Sequence, residues 1–368
     1  MDKFDNKYTN YDKRIFFNKG IIGLSNEGNT CYINSILQCL LHSYEFTYFL
    51  SQHNNWKDKI KKNTPFDTLI LLELHNLFKL VWKNGHFNND VRNKRISNTQ
   101  SIQPIKFLDI FYKCAFKKGM VEFADLRQND TSEFLLFIIQ SCHNSLSRNI
   151  NFSIVKQNNK LTNIDELALK TYETFKNMHS NDWSEILPIF YGMEVTKVES
   201  LESDYINYTP MPFFNLTLEV VNNDTLYKCL DSYTSCEELN NDNKLFIDKN
   251  NRHELIKRSI NFWNLPSVLI ITLKRFNNNN QKINKYIDIP HILNMNKYII
   301  GYNTKNDTCF ELYAICNHMG GTRGGHYTAN IKHANDIWFN CNDTHIHQID
   351  NKNVITPYAY CLFYRKLK

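Results

Sequence analysis

The sequence predicts an α+β fold, with helices in the first half of the chain and strands in the second. Apolar residues between Cys31 and about Leu146 mostly recur every three or four positions, which is the spacing of one helix face. After Ile186 they form short runs rich in Phe, Val, Ile, Tyr and Thr, separated by Asn and Gly, which is typical of strands joined by turns. The first half is therefore expected to be a helical lobe and the second half mainly antiparallel sheet.

Composition indicates a globular chain with a large core. The chain has 368 residues, of which 42% are hydrophobic, so one elaborate domain or two ordinary ones are both possible. The formal net charge of +6 comes from Lys-rich segments spread along the sequence, so no nucleic-acid partner is predicted. No apolar run approaches the roughly 18 residues of a membrane span, and we expect a monomer without a membrane partner.

The cysteines predict a reducing compartment. None of the ten forms a Cys-x-x-Cys pair, and residues 1–19 contain no apolar signal core. Reduced thiols are typical of the cytoplasm and the nucleus, so we expect one or both of these locations.

The chain divides into four predicted segments. Residues 1–19 are polar and predict a loose arm or an edge strand, and residues 20–150 form the helical lobe. Residues 150–185 are rich in Lys and Asn, which predicts a variable insertion holding one helix, Ile164–Met178. Residues 186–368 carry the predicted strands, which are Phe213–Val221, Ser267–Leu273, Cys309–Asn317, His326–Ile331 and Tyr360–Tyr364. Further helical segments are expected at Leu226–Tyr233 and Cys236–Leu239.

A polar, glycine-punctuated stretch leads into the helix that begins near Cys31. Five apolar residues at helical spacing predict one buried face; they are Ile33, Ile36, Leu37, Leu40 and Leu41. Asn29 and Thr30 precede Cys31 and can cap the free N–H groups of the first turn. A thiol at this positive end, with a cationic neighbour, can have its pKa lowered from about 8.5 to roughly 3.5–7.5. Cys31 is therefore a candidate nucleophile, and a small buried thiol is the alternative.

Such a nucleophile needs a partner histidine, and His326 is the candidate. A glycine-dense loop, Gly320–Gly325, stands directly before His326, which begins a predicted strand. Asn342 and Asp343 end a later strand, and either could bind a ring nitrogen of His326 and hold its tautomer. The alternatives are a structural histidine and an Asn-Asp turn. A cysteine, then a histidine, then Asn or Asp is the order found in cysteine acyl-transfer enzymes.

A second polar helix start lies between these motifs. The stretch Gln128–Phe134 places a Thr/Ser–Glu cap ahead of an apolar run. Asp130 and Glu133 can cap this helix and complement its dipole, or their charges can face a cleft. The run Asn277–Asn280 follows the predicted buried strand Val268–Leu273 and must be a solvated loop.

Together these motifs resemble the ubiquitin-specific protease family of cysteine deubiquitinases. The resemblance covers about 23–364 and rests on four stretches in the family's order, which are Gly23–Ser35, Gln128–Phe134, Leu273–Phe276 and Gly324–Ala329. It implies a papain-like cysteine peptidase fold with a helical thumb at 20–150, a β palm with extended fingers at 186–368, and a cleft between them. Residues 20–368 would then form a single catalytic domain behind the arm at 1–19.

The resemblance also implies a reaction and a role for each site residue. The bond hydrolysed would be the peptide or isopeptide bond after the C-terminal Gly of ubiquitin, so ubiquitin and ubiquitinated proteins are the expected partners. Cys31 would be the nucleophile, which forms the acyl-enzyme, and His326 the base. Asn342 occupies the third position, which Asp343 could share or take over, and the Asn26 amide would form the oxyanion hole with the Cys31 N–H. Six residues would bind the substrate, namely Gln128, Asp130, His318, Gly324, Gly325 and Tyr327.

The implied substrate tail ends in Gly-Gly and predicts a narrow channel. Passing Gly320–Gly325 would require a channel that bulkier residues cannot enter, and by the resemblance Asp130 would pair with arginines of the tail. The Asn277–Asn280 loop and the glycine loop would be the lids of this channel.

One departure from the family concerns zinc. Fingers of the family often hold zinc with two Cys-x-x-Cys pairs, but Val195–Leu201 and Lys244–Asn251 contain none. We therefore predict no metal and no cofactor. His345 and His347 are interpreted as a surface strand end.

Two other functions stay open at this point. The chain could be a ubiquitin-binding scaffold with an inactive site, or a cysteine protease that cuts another ubiquitin-like modifier or a polyprotein.

Overall fold

The computed structural model describes residues 10–52, 56–86, 101–123, 127–155, 161–239, 244–277, 279, 281–302, 308–321 and 324–367. Helices dominate the earlier part of these ranges and strands the later part, which confirms the predicted α+β class. None of the described helices is long and apolar enough to cross a membrane.

The described helices lie mostly in the thumb. In chain order they are α1 (Cys31–Leu41), α2 (Tyr44–Ser51), α3 (Pro65–Asn84), α4 (Ile105–Lys117), α5 (Thr131–Leu146), α6 (Asn163–His179), α7 (Ile186–Phe190) and α8 (Leu226–Thr234). Pro65 opens α3, where its fixed φ suits the first helical position. Asp130 caps α5, because its carboxylate accepts the Ser132 N–H at 2.6 Å. Helix α3 packs against both α4 and α5.

The described strands fall into the palm, the fingers and a short pair near the cleft. They are β1 (Gly23–Leu24), β2 (Ser101–Ile102), β3 (Gly192–Ser200), β4 (Ile206–Phe213), β5 (Asn215–Glu219), β6 (Glu237–Leu239), β7 (Leu245–Ile247), β8 (Arg252–Glu254), β9 (Ile256–Asn264), β10 (Val268–Lys274), β11 (Ile292–Asn294), β12 (Cys309–Gly321), β13 (Gly324–Lys332), β14 (Trp338–Asn342), β15 (His345–Ile349) and β16 (Ala359–Lys366). β1 and β2 pair in parallel.

The palm sheet has the order β15-β14-β13-β12-β16-β10-β5, with β11 paired to β12. Its neighbours run antiparallel, except for the parallel pair of β10 and β5. The mainly antiparallel second half is therefore confirmed. Helix α1 packs on β12, β13 and β14, so the first residue of α1 meets the strands that carry the predicted histidine and its partner.

Helix α1 is buried on every side. All of its residues are buried, including the polar Asn34, Ser35 and Gln38. The sequence predicted one buried face; the others are also covered because the palm sheet takes the place of solvent. Its polar residues find partners inside the protein: Gln38 Nε2 donates to the Ile22 carbonyl at 2.9 Å.

The fingers consist of a second sheet, in the order β4-β3-β9-β6, and the hairpin of β7 and β8. The helical segment expected at Cys236–Leu239 is wrong, because Glu237–Leu239 pairs antiparallel with β9; a run this short has too little periodicity to tell the two apart. The one helix expected in the insertion, Ile164–Met178, is confirmed by α6, which packs against β4.

The described part of the N-terminal arm is largely exposed but is anchored by one buried side chain. Its 3₁₀ helix, Lys13–Phe16, buries Phe16, whose ring joins Tyr44 of the thumb and Ala334 of the palm in one apolar cluster. The expected loose arm or edge strand is therefore corrected for residues 10–19. The remainder of the predicted arm lies outside the described residues.

Candidate active site

Cys31 is the first residue of α1, as the sequence predicted. The loop before it folds around the side-chain carbonyl of Asn26, whose Oδ1 accepts the N–H groups of Gly28 at 3.2 Å and Thr30 at 3.1 Å. Gly28 and Asn29 have φ values of 96° and 55°, a left-handed backbone that glycine and asparagine adopt most readily. The expected side-chain cap by Thr30 is wrong, since Thr30 makes no such bond to the helix and Asn26 shapes the turn instead.

His326 lies in β13, beyond the first two residues of that strand. Its Nε2 is 2.7 Å from Asn342 Oδ1 on the neighbouring strand β14. Because an amide oxygen only accepts, Nε2 carries the proton and Nδ1 is the basic nitrogen. Asn342 therefore fixes both the orientation and the tautomer of the ring.

Asp343 makes its side-chain hydrogen bonds to the loop and helix that carry the thiol. Oδ2 accepts from Asn26 Nδ2 at 3.0 Å, and Oδ1 accepts from Asn34 Nδ2 at 2.8 Å. The φ of 50° at Asp343 turns the chain out of β14. Asn342 and Asp343 were both candidates for the third catalytic position. Of the two, Asn342 contacts His326, whereas Asp343 accepts a hydrogen bond from Asn26.

Strand β13, which carries His326, packs against α1, which begins at Cys31. Gln128 Nε2 lies 3.7 Å from the Cys31 sulfur and donates to the Gly325 carbonyl at 2.5 Å, while Gln128 Oε1 accepts the Gly325 N–H at 2.7 Å. Gln128 therefore links the Cys31 sulfur to Gly325, the residue directly before His326.

The surroundings of Cys31 raise the pKa of its thiol. Burial is the largest cause; the Tyr327 N–H acts against it, and the negative charge of Asp343 acts with it. The expected lowering of the pKa is therefore wrong for this structure, because burial outweighs the positive end of α1.

The residues expected to bind substrate form a connected group beside this site. Asp130, which caps α5, also accepts the Tyr360 hydroxyl through Oδ2 at 2.5 Å. Tyr327 stacks on His318, with ring centroids 4.4 Å apart, and burial lowers the pKa of His318 to about 4. Gly325 lies against the same imidazole: a Cβ there would come within 2.4 Å of His318 Nε2. The capping role of Asp130 is thus confirmed, whereas its pairing with arginines stays a prediction.

Residues that flank the two predicted lids meet at His318. Four of their residues lie outside the described residues, namely Asn278, Asn280, Thr322 and Arg323. At the described end of the asparagine loop, Lys282 Nζ donates to the His318 carbonyl at 2.6 Å. His318 itself belongs to β12, which leads into the glycine loop.

A buried carboxylate joins the strands at the tip of the fingers. Glu254 of β8 is fully buried; its Oε2 accepts the hydroxyls of Ser200 at 2.5 Å and Ser203 at 2.6 Å, and its Oε1 accepts from Asn250 and Arg252, both at 2.8 Å. Within the part of the chain that the structure describes, no group of three or more His, Cys, Asp or Glu side chains is arranged to hold a metal ion.

The sequence reasoning missed two residues that shape the site. Asn34 interrupts an apolar helical run, and this isolated amide was the available signal for a contact with Asp343. Tyr360 gave no local signal, because its partner Asp130 lies 230 positions away in the sequence.

A thiol at the start of a buried helix, a histidine on the facing antiparallel sheet and an asparagine on its ring define a papain-like cysteine hydrolase. The family model described as ubiquitin carboxyl-terminal hydrolase matches residues 22–364. The chain therefore belongs to this family.

Curated relatives carry the same name. The chain is 29% identical over 356 residues to ubiquitin carboxyl-terminal hydrolase Usp2 of Drosophila melanogaster, covering 95% of this chain and 35% of that protein. It is 29% identical over 364 residues to ubiquitin carboxyl-terminal hydrolase 8 of Saccharomyces cerevisiae, covering 94% and 70%, and 25% identical to the human ubiquitin carboxyl-terminal hydrolase 2, covering 94% and 55%. The chain thus spans about a third to about two thirds of the length of these relatives.

Solved structures of the same fold contain ubiquitin. The chain is similar to a chain in the SAGA Ubp8/Sgf11/Sus1/Sgf73 DUB module bound to ubiquitin aldehyde, with a TM-score of 0.70, 25% identity, and coverage of 96% of this chain and 71% of that one. A monoubiquitin complex of this module gives a TM-score of 0.72 at 25% identity, covering 100% and 74%. In these two structures the module is bound to ubiquitin aldehyde or to monoubiquitin.

Proposed function

We propose that this chain is a cysteine-dependent deubiquitinase that hydrolyses the peptide or isopeptide bond after the C-terminal Gly of ubiquitin. The observation that supports the proposal is the pair of contacts of Gln128, whose Nε2 lies 3.7 Å from the Cys31 sulfur and donates to the carbonyl of Gly325, the residue before His326. The names of the relatives and the ubiquitin-bound neighbours support the substrate class.

In the proposed reaction, His326 Nδ1 takes the thiol proton as the Cys31 sulfur attacks the carbonyl carbon of the terminal glycine. Burial raises the pKa of Cys31, so the thiol needs a base such as His326 to take its proton. His326 then gives the proton to the leaving lysine amine, and a thioester remains on Cys31. The same imidazole nitrogen deprotonates a water that hydrolyses the thioester.

The oxyanion of the tetrahedral intermediate needs donors that are fixed before it forms. We assign this task to the Cys31 N–H and the Asn26 side-chain amide. The Gly28 and Thr30 N–H groups hold Asn26 Oδ1, and Asp343 accepts one Nδ2 hydrogen. The amide plane is therefore fixed, and its second Nδ2 hydrogen is the one that binds the oxyanion.

The proposed tail channel runs past Gly324 and Gly325. A side chain at Gly325 would collide with His318, so this glycine lets the imidazole lie close to the backbone at the edge of the channel. Asp130 would meet arginines of the tail, in exchange for its bond to Tyr360. We refer to the space bordered by Gly325, His318, Tyr327, Asp130 and Tyr360 as the tail channel.

The remaining expectations concern partners and location. We propose that ubiquitinated proteins are the substrates, that the chain acts as a monomer, and that it works in the cytoplasm, the nucleus or both. All ten cysteines are free thiols, which supports a reducing compartment.

Reaction with ubiquitin that carries a C-terminal electrophile tests the proposal. We expect one covalent adduct with the wild-type chain and none with Cys31→Ser, while Cys236→Ser, which alters an exposed thiol, should react like the wild type. A folded wild-type chain that forms no adduct would support the inactive scaffold. Faster cleavage of a fusion to another ubiquitin-like modifier than of a ubiquitin fusion would contradict the substrate class.

A further inference from the structure

Arg275 is a buried cation without an acidic partner. It follows β10 and is fully buried, and burial lowers the pKa of its guanidinium to about 10, so it stays charged at neutral pH. Its Nη2 is buried without a hydrogen-bond partner. Among the described residues it forms no ion pair and is held by backbone carbonyls only. Burying such a charge destabilises the folded state, so a neutral side chain would be more favourable for stability alone. The carbonyl contacts are what an arginine adds at this position.

The three carbonyls belong to two separate segments. Nη1 donates to the carbonyls of Ile283 at 3.0 Å and Lys285 at 2.8 Å, and Nε donates to the carbonyl of Ala359 at 2.5 Å. The Ile283 N–H returns to the Arg275 carbonyl at 2.7 Å. One planar group thus joins the base of the asparagine loop to the start of β16.

The start of β16 carries Tyr360 of the tail channel, and the base of the asparagine loop contacts His318, which also borders the channel. Phe276 and Lys282 pair across the base of the loop, and the Phe276 ring lies 5.9 Å from His318 and 6.5 Å from Tyr360. Tyr360, directly after Ala359, binds Asp130, while Lys282 binds the His318 carbonyl.

We infer that Arg275 is a positioning residue for the tail channel: it sets the spacing between the base of the asparagine loop and Tyr360. This inference rests on the proposed deubiquitinase function. Arg275 acts through these neighbours and touches no reacting atom, so its loss should affect recognition of the ubiquitin tail more than the reactivity of the thiol.

A second buried arginine offers a matched control. Arg365 lies at the other end of β16, between the rings of Tyr44 and Tyr313, each 4.3 Å from its guanidinium carbon. Its Nη2 donates to the His42 carbonyl at 2.6 Å. Both arginines are buried and bind carbonyls, but Arg365 packs in the contact between thumb and palm, away from the tail channel.

The experiment compares Arg275→Met with Arg365→Met by two measurements. The first is hydrolysis of a ubiquitin C-terminal fluorogenic amide, with rates referred to the folded fraction. The second is alkylation of Cys31 by iodoacetamide, a probe that needs no tail channel, followed by mass spectrometry. For Arg275→Met we expect KM to rise about tenfold or more, with Cys31 alkylation within twofold of wild type. Arg365→Met should lower the melting temperature and leave both KM and alkylation unchanged.

Lys282→Ala keeps the inference testable if Arg275→Met does not fold. This substitution, at a half-buried position, removes the hydrogen bond from Lys282 to the His318 carbonyl, which also holds the base of the asparagine loop. It should raise KM with little change in melting temperature. A wild-type KM for a folded Arg275→Met, or equal changes for the two arginine variants, would overturn the inference. A wild-type chain that does not cleave the ubiquitin amide would refute the proposed function instead, so the two failures are distinguishable.

Discussion

At the scale of single residues, Asn342 and Asp343 divide two tasks between neighbouring side chains. Asn342 ends β14 and reaches the His326 ring, while the left-handed backbone of Asp343 directs its carboxylate to Asn26. The sequence could indicate that a polar pair meets His326, because an amide and a carboxylate followed a strand. It could not divide the roles, since the turn at Asp343 depends on the loop that it contacts.

Asn26→Ala is expected to lower kcat about 100- to 1000-fold with little change in KM, because it removes one oxyanion donor. Asp343→Ala should also lower kcat, since the Asn26 amide loses the acceptor that fixes its plane. If Asp343 acts through Asn26, the double variant should be about as slow as Asn26→Ala alone. Steady-state hydrolysis of a ubiquitin C-terminal fluorogenic amide measures all three.

Asn342→Ala is the matched comparison for this cycle. This substitution acts on His326. The factor by which it lowers kcat should therefore multiply with the factor for Asn26→Ala. If the decreases in kcat caused by Asn26→Ala and Asp343→Ala also multiply, the two residues act independently. Asp343 would then not act through Asn26.

The position of Cys31 could be predicted from the sequence, whereas its pKa could not. Glycines, polar residues and apolar spacing around Cys31 are local and predict a helix start. The pKa depends on burial by the palm and on the charge of Asp343, which only the tertiary fold brings together. The same limit applies to Tyr360 and Asp130, whose contact joins distant parts of the chain.

At the scale of elements, the fingers are held at their tip by Glu254. This carboxylate links the end of β3, through Ser200 and Ser203, to the hairpin of β7 and β8. Hydrogen bonds from Ser200 and then Ser203 lower the pKa of Glu254 to about 2. The sequence predicted fingers without a zinc pair, but it gave no sign of this network, because its members are common surface residue types.

Glu254→Gln is expected to loosen the β7–β8 hairpin, since an amide has one acceptor oxygen for the donors that the carboxylate binds. Because the folded pKa of Glu254 is lowered, its contribution to stability is present above the ordinary glutamate value of 4.5 and is lost as the pH falls toward about 2. Amide hydrogen exchange in β7 and β8, measured at several pH values, tests both statements. The variant should exchange faster than wild type at neutral pH, with a smaller difference in acid.

Glu237→Gln is the control for the fingers. Glu237 forms an exposed ion pair with Arg258, with the nearest atoms 3.1 Å apart, and such pairs contribute little to stability. Equal protection in Glu254→Gln and wild type, or an equal loss in Glu237→Gln, would contradict the role of Glu254.

At the scale of the whole molecule, the cleft depends on how thumb and palm are joined. Helix α1 lies between them, and the described arm crosses the same contact: the Lys19 carbonyl accepts from His333 Nε2 at 2.9 Å. Tyr11 adds a bond to Glu45 at 2.9 Å. A helical half and a sheet half could be predicted from apolar spacing, but the arm could not, because its few apolar residues show no periodicity.

Phe16 and Phe17 offer a neighbouring pair that tests whether the arm joins the two lobes. Phe16 is 5% exposed and stacks on Tyr44 with ring centroids 4.4 Å apart, whereas Phe17 is 40% exposed. Phe16→Ala should therefore lower the free energy of unfolding by about 3 kcal/mol, as for other buried aromatic residues, and Phe17→Ala by less than about 0.5 kcal/mol. Urea unfolding measures both. If both variants lower the free energy of unfolding equally, Phe16 does not act as a buried anchor. The arm would then rest on the surface without joining thumb and palm.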